Sequence, residues 1–472
     1  MVEQSCWKSR RSEWVGSNGE TKYALLAYFP AESQVAFAGV SRSTTPDSLT
    51  MKFPTLLCVL ALIAGTSLSC YGNPDAAGKN DWPAWRGPNR NGHADPLQEL
   101  PVALNPGKHT IWEVLVPGRG HGSPIVVGER IYLVTADEGK QTQSLLAYDR
   151  GTGDPAWTTV IHSGNFPDRI NRKATHANNS PAHDGEKLYV TFVNDGAAYA
   201  TALNLKGEKV WTTRLTGYTV HQGYGASPMV YRSLLLVCAD NKKAGAILGL
   251  DRRTGKIVWK VDRPKIPNYT PPIVQEINGR DQLVISGCEK VISLDPMTGK
   301  LLWEAKGSTQ ETVTSPVTDG ERIFISGGWP KNHVQAVEAN GSGKVVWRNI
   351  SRVYVPSMLV AKGHLYAVMD GGAAMCWDCR TGQRKWKGVL GGTFSSSPVL
   401  VGDEIHVINE NGDYFKFNTD PGKFEISHKA KIGDQVFATP VFCGGRVYVR
   451  IATFEGDERK EKLLCLGERP RN

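Results

Sequence analysis

The sequence predicts an all-β fold: an eight-bladed β-propeller of four-stranded antiparallel blades, closed by its N-terminal Trp strand. Three observations carry this. A short motif recurs along the chain, a Pro landmark recurs at the period of a blade, and every repeat contains the same run of alternating segments.

The motif is clearest as "LDRRTGKIVWKVD" (residues 250–262) and, forty-four residues later, "LDPMTGKLLWEAK" (residues 294–306). It recurs as "YDRGTGDPAW" (148–157) and "WDCRTGQRKW" (377–386), with weaker copies "NLKGEKVW" (204–211) and "EANGSGKVVW" (338–347). The landmark, usually after Ser or Thr and before an apolar residue, stands at Pro124, Pro181, Pro228, Pro272, Pro316, Pro356, Pro398 and Pro440. The intervals run from 40 to 57 residues and make eight units. A propeller blade has this period and a short solenoid repeat does not.

Within a unit the order is constant. "SSPVLVGDEIHVINENGDYFKFNTDPGKF" shows an apolar run, a Gly-Asp turn, an alternating run (404–408), an Asn-Gly turn and a third alternating run (414–417). Apolar–polar alternation marks half-buried strands, and Asn-Gly between two of them marks a hairpin. The motif itself reads as architecture. Its Asp can accept hydrogen bonds from the turn that follows, Gly supplies a positive φ without steric cost, and Trp opens the outermost strand. Trp112, Trp157, Trp211, Trp259, Trp303, Trp347 and Trp386 are assigned to docking one blade on the next. The last unit, from Pro440, has three strands and no Trp. "HTIWEVLV" (109–116) is a Trp strand with no unit before it, and so completes the eighth blade and leaves the ring without an edge.

The chain outside the ring divides simply. "MKFPTLLCVLALIAGTSLSC" (51–70) has a basic start, a short apolar core and small residues before a Cys, as in a secretory signal. Residues 1–50 precede it and are assigned to a start codon placed too early, with no structure of their own. The signal is residues 51–69, and simple export is favoured over a lipid anchor at Cys70. Residues 70–108, with "NDWPAWRGPNRNG" (80–92), form a leader expected to lie across one end of the propeller. The ring is residues 109–467 and the tail 468–472. The apolar run is too short to span a membrane comfortably. The formal charge of +9 is spread along the chain with no basic run, which argues against nucleic acid.

The loops that precede each first strand share one face by the symmetry of the repeat. They supply Arg119, His121, Arg172, His176, Asn179, Tyr224, Tyr269 and Tyr354 as a candidate ligand-binding face, with no catalytic and no metal-binding residue assigned. "CWDC" (376–379) has no second C-x-x-C and no helix, so zinc and thioredoxin-like readings yield to packing; the disulfide state of Cys376 and Cys379 stays open.

The export signal, the "DWPAWRGPNRNG" leader and the eight "D-x-x-T-G-x-x-x-W" units resemble the PQQ-repeat (quinoprotein-like) β-propeller family, over roughly residues 80–467. The resemblance implies one of two functions. Some members are alcohol or sugar dehydrogenases that hold PQQ and Ca²⁺; other exported members bind no cofactor and act as scaffolds. The dehydrogenases need carboxylates for the cation and for proton abstraction, and resemble one another in a Cys-Cys pair. The loops here offer Glu311 and Asp434, and the chain has no Cys-Cys. The expectation is therefore a monomeric, exported, non-catalytic scaffold of the bacterial periplasm or cell envelope. It needs no cofactor, and its partner is an envelope protein, peptide or polysaccharide.

Overall fold

In the computed structural model the described residues are 78–469. They form an eight-bladed β-propeller, each blade a sheet of four antiparallel strands. Blades 1 to 7 take residues 125–163, 182–217, 229–262, 273–306, 317–349, 359–389 and 399–431. Blade 8 combines Val441–Cys443, Arg446–Glu455 and Glu458–Gly467 with Thr110–Leu115 from the start of the ring. First strands of neighbouring blades touch one another, so they line the centre and the fourth strands lie outermost. No helix among the described residues is long and apolar enough to cross a membrane.

Burial follows from that order. In blade 1 the second and third strands, Arg130–Asp137 and Thr142–Asp149, are buried except at their ends, because a neighbouring blade covers each face. The fourth strand, Pro155–Ser163, is mostly exposed along its length. Closure is by sequence-distant pairing: Trp112 lies opposite Cys465 and Val114 opposite Leu463. Arg450 of blade 8, buried against Glu461 (2.6 Å), donates to the Val134 carbonyl of blade 1 at 2.8 Å.

The repeated motif is a joint. In blade 3 the Asp251 carboxylate accepts from the amides of Arg253 (3.1 Å) and Thr254 (2.8 Å) and from the Thr254 hydroxyl (2.9 Å). This closes the turn that Gly255 completes at φ +73°. That glycine is where the Trp of the preceding blade packs: Trp211 on Gly255, Trp259 on Gly299, Trp112 on Gly153 across the closure. In most joints the indole N–H then reaches a carbonyl of the same turn, Trp211 to Arg252 (3.1 Å), Trp347 to Cys379 (2.8 Å), Trp386 to Asp420 (2.8 Å) and Trp112 to Arg150 (3.2 Å), whereas the Trp259 N–H has no partner among the described residues. Trp303 does this through a relay. Its N–H binds Gln282 (2.7 Å), whose amide reaches the Ala339 carbonyl of blade 5 at 3.0 Å.

Opposite each Trp stands a small residue: Ala147, Ala202, Gly249, Ser293, Ala336, Cys376 or Cys465. Cys376 is thus a small packing residue. Both Cys376 and Cys379 are free and buried, and burial pushes each thiol up to about 12.

The Pro landmark needs one correction. Blade 6 begins at Leu359, and Ser357 holds the place of Ser315 and Ser397, so Met358, not Pro356, stands where the other blades have Pro. The hydroxyl in this position has a structural use, because each accepts from the amide of the preceding blade: Ser315 to Ser357 (3.0 Å), Ser357 to Ser397 (2.9 Å), Ser397 to Thr439 (2.9 Å) and Thr439 to Ser123 (3.0 Å).

Leader residues 80–98 meet the inner edge of seven blades. Trp82 exchanges two backbone hydrogen bonds with Val126, at 2.7 and 3.0 Å. Pro83 accepts from His183 (3.0 Å), Arg90 donates to Val230 (3.0 Å), and Trp85 donates to Ser315 (2.9 Å). Arg86 donates to Met358 (2.6 Å), Ala94 to Leu400 (2.8 Å), and Gln98 to Phe442 (3.4 Å). Burial lowers the Arg86 guanidinium to about 9.

Candidate functional site

The loops before the first strands surround a cavity of about 370 Å³ at the centre of the ring. The leader supplies Trp85 to its lining, and the N–H of that indole is held by Ser315. Tyr224, Tyr269, Tyr354 and Phe437 line the walls, and Asn171, Asn178 and Gln222 add amides. Among the described residues Lys173 is the one Lys or Arg in the lining, and it is bound by Glu410 at 2.8 Å.

Four of the eight sequence-selected residues meet here: His121, Tyr224, Tyr269 and Tyr354. His121 stacks on Phe437, with ring centroids 4.2 Å apart. Burial first, then Arg119, Arg450 and Arg459, hold its imidazole well below its usual pKa, so it is neutral; its Nε2 has no partner among the described residues. Tyr224 is buried and donates to the Cys238 carbonyl (3.0 Å). The other four are placed elsewhere. Arg119 pairs by backbone with Ala136 and lines a separate groove beside Arg459. Arg172 is exposed outside the cavity, between Asn171 and Lys173, which do line it. His176 packs on Phe166 (4.2 Å), and Asn179 is buried against Thr191, donating to its carbonyl at 2.7 Å.

Sequence reasoning missed Trp85, because nothing in "DWPAWRGPNRNG" says which of its aromatic rings reaches the centre. It also passed over His221 and Gln222, although both stand in the "HQGYGA" loop. His221 Nδ1 lies 3.3 Å from both the Tyr269 hydroxyl and Glu311 Oε1, and the Tyr354 hydroxyl donates to Glu311 Oε2 at 3.2 Å. Burial, then Glu311, push both tyrosines above their usual value, so both stay protonated. This cluster separates the central cavity from an adjoining groove lined by Trp329, Lys242, Lys265 and Arg352.

A calcium-held quinone would need free oxygen donors around it. A hard cation takes six to eight oxygen ligands. Glu311 has His221 and Tyr354 on its two oxygens. Glu410 is taken by Lys173 and by the Ser395 hydroxyl at 2.7 Å. Asp434 turns to its own blade, accepting from the Phe454 amide (2.9 Å). Among the described residues no three His, Cys, Asp or Glu side chains converge as a metal site. These residues do not fit such a group.

Known proteins fit this architecture. The family described as outer membrane protein assembly factor BamB matches residues 100–167 and 168–388. A relative bearing that name, from Moranella endobia, is 25% identical over 390 residues, covering 76% of this chain and 92% of its own. BamB from Moraxella catarrhalis superposes with a TM-score of 0.55 at 14% identity, over 76% of this chain and 99% of its own. A europium-containing methanol dehydrogenase superposes at 0.60 with 13% identity, over 83% and 98%. At those identities the structural likenesses speak for the fold alone. The family match rests on sequence over more than half of the length, and the chain belongs to the outer membrane protein assembly factor BamB family.

Proposed function

We propose that this chain is an exported, non-catalytic scaffold of the bacterial cell envelope that holds a partner on the loop face around the central cavity, without PQQ or another cofactor. The observation that supports it most is the chemistry of the cavity. Aromatic rings and amides line it, and its acidic neighbours Glu311 and Glu410 are each engaged by protein donors. A pocket that is mostly apolar with a few fixed polar groups binds and orients. Among the described residues no unengaged carboxylate lines it. The family match supports the same reading, since its name describes assembly rather than catalysis. In this reading the signal is removed before Cys70, and the mature chain works as a monomer in the periplasm or at the envelope.

The test pairs two assays. The mature protein, and the variant Asn171→Ala/Gln222→Ala, are used to capture partners from solubilised envelope. Capture by the parent, lost in the variant at unchanged melting temperature, is the expected result. The parent is also incubated with PQQ and Ca²⁺. Retained quinone absorbance with dye-linked alcohol oxidation would overturn the reading.

A further inference from the structure

We infer that the loop face takes an acidic peptide segment carrying an aromatic side chain, with the ring in the central cavity and the carboxylates in the adjoining groove. This rests on the scaffold reading and names the chemistry of the partner.

Two neighbouring spaces of opposite character carry it. The central cavity is walled by aromatic rings, and Lys173 in its lining is paired with Glu410. The adjoining groove, about 710 Å³, is basic. Lys242, Lys265 and Arg352 come to it from three different loops and are exposed. Among the described residues Lys242 and Lys265 have no ion-pair partner. Arg352 lies over the Tyr354 ring, 5.5 Å from its centroid. Among the described residues the one carboxylate lining the groove is Glu311, which is buried and turned to His221 and Tyr354. Glu289 accepts from Gln310 (3.2 Å) and is not part of the lining. The acids nearest these three cations are already engaged, Glu311 by His221 and Tyr354 and Asp370, beside Arg352, by the Tyr354 and Val355 amides, so the exposed lysines define a complementary anion.

Trp329 stands among them 56% exposed, although large aromatic rings are normally covered. Gln222 and Tyr354 border both spaces, so a single chain can cross from one to the other. A cavity of about 370 Å³ accommodates an aromatic side chain. Asn171 is bound to Gln222 and Lys173, and the Asn178 oxygen to Thr175, so it is the amide N–H groups of Asn178 and Gln222 that can donate to the carbonyls a peptide brings with it.

The experiment titrates the mature protein calorimetrically with a blocked synthetic peptide, Gly-Asp-Phe-Asp-Asp-Gly. Controls replace Phe by Ala, or every Asp by Asn, and a further titrant is polygalacturonate. The parent peptide should bind, and each control should bind about tenfold more weakly or not at all. Lys242→Glu/Lys265→Glu should weaken the parent peptide by about tenfold or more, with the melting temperature unchanged because both side chains are exposed. Trp329→Ala reports on the same groove without touching the core. Failure of the parent peptide to bind, or equal binding of the Asn control, overturns the inference. So does binding of polygalacturonate with the same dependence on Lys242 and Lys265 while the peptide stays inert. If envelope capture through Asn171 and Gln222 persists in any of those cases, the scaffold reading stands and only the peptide chemistry falls. If capture fails too, both fall.

Discussion

At the scale of single residues, the blades are joined by the repeated Trp and its turn, and that docking role was legible. Asp, Thr, Gly and Trp at fixed offsets announce a turn with an anchor, and the turn forms as the side-chain chemistry requires. The sequence does not say that Trp112, Trp157, Trp211, Trp259 and Trp347 pack on the glycine of the next blade instead of their own. Gly299 has φ +70°, and a Cβ there would stand 2.6 Å from the Trp259 ring. Trp259→Ala should cost about 3–5 kcal/mol through the cavity it leaves. Gly299→Ala should cost about 1–3 kcal/mol, from backbone strain plus the clash. With Trp259 already removed the clash disappears and only the strain remains. The double mutant should therefore be more stable than the two single costs predict, by about 1 kcal/mol. Urea denaturation of the four proteins measures this, and strict additivity would show that the ring and the glycine do not touch. Legibility ended where a residue's use depends on another segment. Trp85 and Lys416 carry no local signal for their roles, since their partners Ser315 and Val102 are 230 and 314 residues away.

At the scale of elements, strand count and order were readable because each blade repeats the same hydrophobic alternation. The closing strand was readable because an unpaired Trp strand at one end matched a missing one at the other. Blade 7 departs from the pattern for a physical reason. It has His428 where the others have Trp, and Lys416 where they have a small residue. The next blade is closed by a strand from the other end of the ring, so it offers no Thr-Gly turn to pack on. The leader passes there instead, and His428 and Lys416 hold the carbonyls of Leu104 and Val102, both at 2.8 Å. Removing Thr110–Leu115 should open the ring and expose the edges of blade 8. The expected result is a lower melting temperature and association on gel filtration; a monomer with unchanged melting would refute the closure. Beginning the mature chain at Ala94 removes Trp82, Trp85 and Arg86 from the centre. This should lower the melting temperature by more than about 5 °C, because hydrogen bonds to blades 1, 2, 3, 5 and 6 are lost. An unchanged melting curve would mean that the leader merely rests on the ring.

At the scale of the whole molecule, the close packing of blades leaves histidines in the interior as neutral groups, and this sets a pH dependence. Burial, then Lys416, lowers His406 to about 3; burial, then Arg348, lowers His333 to about 4. In the unfolded chain each titrates near about 6.5. Between about 6.5 and the folded values, the unfolded state takes up protons that the folded state refuses, so stability falls as pH falls through that window. It is present in full above it. Each group contributes a slope of up to about 1.4 kcal/mol per pH unit there. His333 isolates the effect, since it is fully buried and neither ring nitrogen bonds a side chain among the described residues. His333→Leu thus removes a titrating group whose polar contact is confined to the Lys331 backbone. The variant should match the parent at about pH 7 and exceed it by about 1–2 kcal/mol at about pH 5, read from urea midpoints at both. Parallel losses in the two proteins would show that His333 is protonated within the fold and that the blade interior is less closed to protons than its packing implies.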